Sequence, residues 1–246
     1  MDEDLATKLR HLRLYGVLGH WDDYVALAEK RRMSPLALLK HVVEEEYKIK
    51  GENARQRRIK HAQIPELWVM ETFPFKRQPK LNKKRILALY DAFDFVEKHQ
   101  NIIWMGRTGC GKTGLATSFL IEAINRGAKG RYILFPQLVN ELYRSVADHS
   151  EAKVLKRYLS YDCLLIDELG HVEVEAVQVG LFFTLMHMRH KTKSTLITTN
   201  LGFSEWDSFL KNKQLTAALI DRLTEVSHVI NMKACDSLRN KLTQEA

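Results

Sequence analysis

From residue 101 onward, apolar residues come in short unbroken runs. Ile102-Ile103-Trp104-Met105, Tyr132-Ile133-Leu134-Phe135, Cys163-Leu164-Leu165-Ile166, Thr195-Leu196-Ile197-Thr198 and His228-Val229-Ile230-Asn231 each have the length of a buried strand. Longer segments of helical period separate them. Runs that are apolar on both faces and alternate with helices predict a five-stranded parallel sheet covered on both sides, an α/β class. Before residue 101 the pattern differs. Leu5, Leu9, Leu12, Val17 and Leu18 recur at roughly helical spacing, and residues 4 to about 62 read as a small all-helical module. Ser34-Pro35 marks a helix start, with Ser34 placed to cap and Pro35 at the first helical position. The helix that follows begins with Leu36, Leu38, Leu39, Val42 and Val43 and ends in the basic run Arg55-Gln56-Arg57-Arg58-Ile59-Lys60. Ile64-Pro65 breaks it. The expected organisation is therefore a helical module over 1–63, a linker over 64–84 containing Phe73-Pro74-Phe75, and an α/β domain over 85–246. A helical segment from Arg85 to His99 opens that domain.

Composition narrows this picture. Of the 246 residues, 45% are hydrophobic and 28% charged, as in ordinary globular chains. No apolar run approaches the ~20 residues that span a bilayer. Met1-Asp2-Glu3-Asp4 carries the wrong charge for a signal or transit peptide. The expectation is a cytoplasmic protein with no membrane partner. Cys110, Cys163 and Cys235 form no CxxC pair, which argues for reduced thiols over a zinc or disulfide framework. The net charge of +8 is unevenly spread: Lys48 to Arg85 holds twelve Lys and Arg against three Glu. Such concentration points to a polyanion, nucleic acid foremost. A solvated helix face followed by a basic linker is the other reading.

The first strand runs into Gly106-Arg107-Thr108-Gly109-Cys110-Gly111-Lys112-Thr113, which matches GxxxxGK[ST] between a strand and a helix. Glycines at this spacing let backbone N–H groups close around phosphates, and the following helix turns its positive end toward them. Lys112 is expected on the β- and γ-phosphates and the Thr113 hydroxyl on Mg²⁺, while Arg107, Thr108 and Cys110 fill variable positions. The third strand ends in Asp167-Glu168. Asp167 suits the Mg²⁺ shell, and Glu168 suits the base that orients the attacking water. ATP and Mg²⁺ are thus the implied ligands and ATP hydrolysis the implied reaction. A small-molecule kinase would need a substrate lid, which no segment supplies.

These residues resemble the AAA+ ATPases and, more narrowly, their IstB/DnaC-like branch, well over about residues 95 to 242 and more loosely before. Asp167-Glu168-Leu169-Gly170 is similar to that branch's DELG, and the segment from Leu196 to Trp206 to its ITSNLPFSEW. The resemblance places Asn200 at sensor 1, positioning the hydrolytic water; capping the helix near Ser204 is its other reading. Ala218 to Leu223 resembles AxxDRL, which makes Arg222 an arginine finger on a neighbouring subunit's γ-phosphate, as against a surface arginine. Asp236-Ser237-Leu238-Arg239 resembles GxSxR, with Arg239 as sensor 2, although Cys235 and Leu238 stand where the family has glycine and tyrosine. Arg189 matches a further arginine of the branch with no assigned role. Two helices between Phe135 and Asp162 resemble an initiator-type element that lines a DNA pore and carries Arg144, Lys153, Lys156 and Arg157. With Arg55, Arg57 and Arg58, the last three are the candidate DNA contacts. Phe73-Pro74-Phe75 resembles an FDF-like segment found near adenine. What the resemblance implies is an IstB-like transposition helper ATPase with a short lid. It would assemble on duplex DNA as an AAA+ oligomer and recruit or stimulate a transposase, with hydrolysis controlling assembly. A DnaC-like helicase loader is the nearest rival.

Overall fold

The computed structural model describes residues 1–171 and 173–239. Residues 240–246, the close of the expected 85–246 domain, lie outside the described residues. The chain divides into two compact units, residues 1–57 and 58–246, with the division inside a helix.

The first unit is helical, but in pieces: α1 (Glu3–His11), α2 (Tyr15–Gly19), α3 (Trp21–Arg31) and the start of α4 (Pro35–Ala62). Asp2 caps α1 by accepting from the Leu5 amide at 2.7 Å. Ser34 accepts from the Ala37 amide at 3.2 Å, the start that Ser34-Pro35 predicts. Left-handed residues Arg13 and Arg32 break the run that periodicity alone reads as continuous. Glu46 on α4 is buried and accepts from the Val17 amide at 2.9 Å, tying α2 to α4.

The second unit begins within α4. Segment 64–84, read from the sequence as a linker, is a packed layer. It forms 3₁₀ turns at Met70–Thr72 and Phe75–Arg77 and buries Met70, Phe73 and Leu81 in the core. Its apolar side chains recur too often to be left in water. The next helix, α5 (Lys83–Ala92), is shorter than the expected 85–99. Phe93 takes a left-handed conformation, and the turn that follows sends Phe93 and Phe95 inward.

The sheet contains β1 (Asn101–Gly106), β2 (Gly130–Leu134), β3 (Cys163–Leu169), β4 (Ser194–Thr199) and β5 (Ser227–Met232). All pairs are parallel and the order is β2-β3-β4-β1-β5. The five apolar runs fall on these five strands, except that Phe135 already begins the following helix. Every residue of β1 and β4 is buried, as expected of strands covered on both faces. One face is covered by α6 (Lys112–Asn125), whose Phe119 meets Phe93, Phe95 and Trp104 at ring-centroid distances of 5.5 to 6.3 Å. The other is covered by α7 (Phe135–Ala147), α8 (Glu151–Leu159), α9 (Ala176–Arg189), α10 (Phe203–Leu210) and α11 (Lys213–Glu225), with Phe135, Phe182 and Trp206 fully buried. Because β4 lies between β1 and β3, the loops leaving all three converge at the carboxyl edge. That edge is where an open α/β sheet holds ligands.

Arg189 stabilises the opposite edge. Its guanidinium is 1% exposed and donates to the carbonyls of Tyr158, Tyr161 and Ser194 at 2.8, 3.0 and 2.6 Å, and to Thr195 Oγ1 at 3.1 Å. Burial pulls its pKa down to about 10, so it stays charged at neutral pH. The arginine that the sequence left without a role thus ties α8 and the loop before β3 to the start of β4, away from the carboxyl edge.

Candidate nucleotide site

Between β1 and α6 the chain turns tightly, with Gly109 at φ +83° and Gly111 at φ +96°. A side chain at either position would be strained and would collide: a Cβ at Gly109 comes within 2.5 Å of Ser237 Oγ, and one at Gly111 within 2.7 Å of the Phe73 ring. Lys112, the first residue of α6, folds back over the loop and donates to the carbonyls of Gly106 and Arg107 at 2.7 and 2.9 Å. Burial holds its pKa below the usual lysine value, against the pull of the Asp167 and Glu168 carboxylates. Gly109, Gly111, Lys112 and Thr113 line a cavity of about 510 Å³. Arg107 and Thr108 are exposed on the outside of the turn, and the Cys110 thiol is buried in the core.

Asp167 faces this loop from the end of β3. It is 2% exposed and accepts hydroxyl donors from three elements. Thr113 Oγ1 lies 3.0 Å away, Tyr132 Oη lies 2.9 Å away, and Thr198 Oγ1 makes a shorter contact. Burial first, and the Asp167 charge second, push the Tyr132 phenol well above its ordinary pKa, which keeps it a donor. Thr198 also accepts from the Glu168 amide at 3.0 Å. That amide belongs to a bulge: the β3–β4 register shifts between Ile166 and Leu169, and Glu168 adopts φ +62°. The bulge turns Glu168 out of the sheet into the same cavity as Lys112, while Asp167 on its neighbour stays buried.

Asn200 follows β4 directly. Its Oδ1 is buried and has no hydrogen-bond partner among the described residues. The side chain does not cap α10, whose first turn is closed by Glu205 accepting from the Gly202 amide at 2.6 Å. Asn200 Oδ1 lies beside Gly170, just past the Glu168 bulge, and Asn200 is not among the residues that line the cavity.

The far wall of the cavity is aromatic. Phe73 and Pro74 belong to it, and Trp68 lies over Gly114, where a Cβ would sit 3.4 Å from the indole. Tyr132, Thr198 and Trp68 are parts of the site that sequence reasoning missed, whereas Phe73 and Pro74 belong to the segment whose resemblance put it near a base. Two hydroxyls at the ends of apolar strands were the available signal for Tyr132 and Thr198.

The remaining candidates divide between the cavity's border and other surfaces. Arg239 and Leu238 border the cavity next to Gly109. Arg222 on α11 does not: its Nε donates to His187 Nδ1 at 3.0 Å, its Nη1 to the Ala218 carbonyl at 2.9 Å, and its guanidinium lies 5.1 Å from the Phe183 ring centroid. Of the candidate DNA contacts, Arg55 makes two 2.8 Å hydrogen bonds to Glu52, whose carboxyl those bonds hold down at about 2. Arg57 is exposed and Arg58 half-buried. On α8, Lys153 and Lys156 are exposed, whereas Arg157 pairs with Glu141.

These residues fit a nucleoside triphosphate with Mg²⁺. The loop offers backbone N–H groups and an ammonium to phosphates, the aromatic wall suits a base, and Thr113 with Asp167 supplies the hard oxygen donors Mg²⁺ prefers. A glycine-rich loop on β1, a carboxylate on β3 and this sheet order define an AAA+-type P-loop nucleotide-binding domain. The chain belongs to the family of IstB-like ATP binding proteins, whose sequence model matches residues 7–246.

A protein of insertion sequence IS232 from Bacillus thuringiensis subsp. berliner, named as ATP-binding, is 30% identical over 94% of this chain and 92% of its own length. One of insertion sequence IS5376 from Geobacillus stearothermophilus, likewise named, is 30% identical over 100% of this chain and 98% of its own. Among solved structures, the DnaC helicase loader superposes with a TM-score of 0.53 at 23% identity, over 61% of this chain and 87% of that one. AMPPCP-bound DnaA from Aquifex aeolicus gives 0.56 at 17% identity, over 70% and 51%. At these identities the two structures speak for the fold alone. Among the described residues, no helix is long and apolar enough to cross a membrane.

Proposed function

We propose that this protein is a Mg²⁺-dependent ATPase that serves as a helper in the transposition of an insertion sequence. One observation carries the catalytic half. Thr113 and Asp167 meet at 3.0 Å across the cavity that Lys112 enters, with Glu168 presented beside them. Backbone amides of 106–113 and the Lys112 ammonium would bind the phosphates. Thr113 and Asp167 would hold Mg²⁺, which supplies charge neutralisation at the phosphate oxygens when bound. Glu168 takes the proton of the attacking water or orients it, and Asn200 Oδ1 holds that water from the β4 side. Arg222, remote from its own cavity and on an accessible helix, acts on the γ-phosphate of a neighbouring subunit. Arg239 contacts phosphate from within the same chain.

The biological half rests on the relatives, which belong to insertion sequences and match nearly the whole chain. In this reading the ATP form assembles on duplex DNA through basic residues including Arg57, Arg58, Lys153 and Lys156. It recruits or stimulates a transposase in the cytoplasm, and hydrolysis ends the assembly. A second reading keeps the same ATPase chemistry and takes a helicase as client, the class of protein that one fold neighbour is named for loading. Electron microscopy with duplex DNA and a non-hydrolysable ATP analogue separates the two. Rings or filaments on duplex support the helper, and a helicase-bound particle without duplex assembly supports the loader.

A further inference from the structure

One buried amide joins three stretches of the site that are distant in sequence. Gln78 is 1% exposed, and every part of its amide is used. Its Nε2 donates to the carbonyl of Cys110 at 3.1 Å and to that of Asp236 at 2.6 Å, while its Oε1 accepts from the Asp236 amide at 3.2 Å. The segment 235–239 is thereby laid against the phosphate loop. Leu238 then donates its amide to the Gly109 carbonyl at 2.8 Å, and Arg77 donates Nη2 to the Leu238 carbonyl at 3.1 Å. Ser237 and Leu238 sit where side chains on Gly109 and Gly111 would have been, so the loop glycines make room for this segment as well as for phosphate. No carboxylate or lysine at position 78 could replace this. A carboxylate would face two carbonyls, and an ammonium could not accept from Asp236.

We propose that Gln78 is a positioning residue of the nucleotide site, fastening segment 235–239 over the phosphate loop and so setting Arg239 at its edge. This rests on the nucleotide reading of the cavity. Gln78 touches no nucleotide atom in this scheme; it acts by fixing the loop carbonyl at Cys110 and the segment that carries Arg239. Affinity for ATP and protection of the 235–239 backbone should therefore fall together when Gln78 is changed, and Arg239 should lose its contribution at the same time.

The test uses the full chain and a fluorescent, non-hydrolysable ATP analogue, with hydrogen exchange followed at the Asp236 and Leu238 amides. Gln78→Leu keeps the bulk and removes all three bonds. It should raise the analogue's Kd about tenfold and speed exchange at both amides by a similar factor. Arg239→Ala should weaken binding in the wild type and add nothing in the Gln78→Leu background. Arg77→Met changes an exposed residue and reaches the same segment through Leu238. Because Arg77 also lines the cavity, its Kd does not test the fastening; faster exchange at the Leu238 amide does, and that readout carries the test should Gln78→Leu not fold. A folded Gln78→Leu protein with wild-type affinity, unchanged exchange at 236 and 238, or an Arg239→Ala effect that adds in full would overturn the proposal and leave the nucleotide reading standing. Failure of the wild type to bind the analogue would remove both.

Discussion

Thr198→Val changes almost no volume and deletes one oxygen. That oxygen belongs to a residue 1% exposed, donates to Asp167 and accepts from the Glu168 amide at 3.0 Å. Losing a hydrogen bond to a buried carboxylate costs about 1.5–3 kcal/mol. The Glu168 amide loses its acceptor too, but Glu168 is exposed and water can reach it, so that cost is nearer ~1 kcal/mol. The sum is about 3 kcal/mol, which for a unit of this size lowers the melting temperature by roughly 6–12 °C. Function should suffer differently. Lys112, Thr113 and the loop amides are untouched, so ATP binding should hold, while the bulge that aims Glu168 loses its tether. Misplacing that carboxylate by ~1 Å would cost on the order of 10²-fold in turnover. Thr198→Ser keeps the oxygen and drops a methyl group, so it should lose only ~1 kcal/mol and most of its activity should survive. Thermal unfolding by circular dichroism and a coupled phosphate-release assay read the two effects separately. A Val variant that melts and turns over like the wild type would refute the view that this hydroxyl organises the two carboxylates.

Lys112→Ala should abolish binding of a fluorescent ATP analogue, since among the described residues it removes the only lysine in the cavity lining. Glu168→Gln keeps shape and loses the base, so ATP should still bind while turnover falls about 10²-fold or more, measured by phosphate release. Arg222→Ala should bind ATP but not hydrolyse it alone, and mixing it with Lys112→Ala protein should restore some turnover at mixed interfaces. Two variants that stay inactive at every ratio, with mixed assemblies shown to form, would count against action in trans. DNA affinity should fall with log salt at about 0.9 per phosphate contact, and Arg57→Ala with Arg58→Ala should flatten that slope more than Arg55→Ala, because Arg55 already pairs with Glu52. Equal slopes in all variants, by fluorescence anisotropy, would make this stretch a solvated face.

The α/β unit was legible because its signals are local. Apolar runs such as Ile102 to Met105 are too short for helices and, ending at Gly106, suit strands covered on both sides, and the loop glycines sit beside the lysine they serve. Asp167 and Glu168 could be found because they end such a run. What could not be read depends on distant pairings. Gln78 looks like a linker residue until the carbonyls of Cys110 and Asp236, 32 and 158 positions away, are brought to it. Tyr132 and Thr198 read as ordinary strand residues because their hydroxyls act only once β2, β3 and β4 align. The early end of α5 was hidden for a related reason. Phe93 and Phe95 continue a helical pattern in sequence, but burial against Phe119 favours a left-handed turn over another helical turn.

The backbone at residue 168 asks for glycine. With φ at +62°, a side chain there carries about 1 kcal/mol of strain that glycine would not. Selection of variants for heat resistance alone should therefore drift toward Glu168→Gly, which relaxes the bulge and silences the catalyst in one step. A screen for hardier forms of this protein would have to count phosphate released as well as degrees gained, or it would enrich for inert ones.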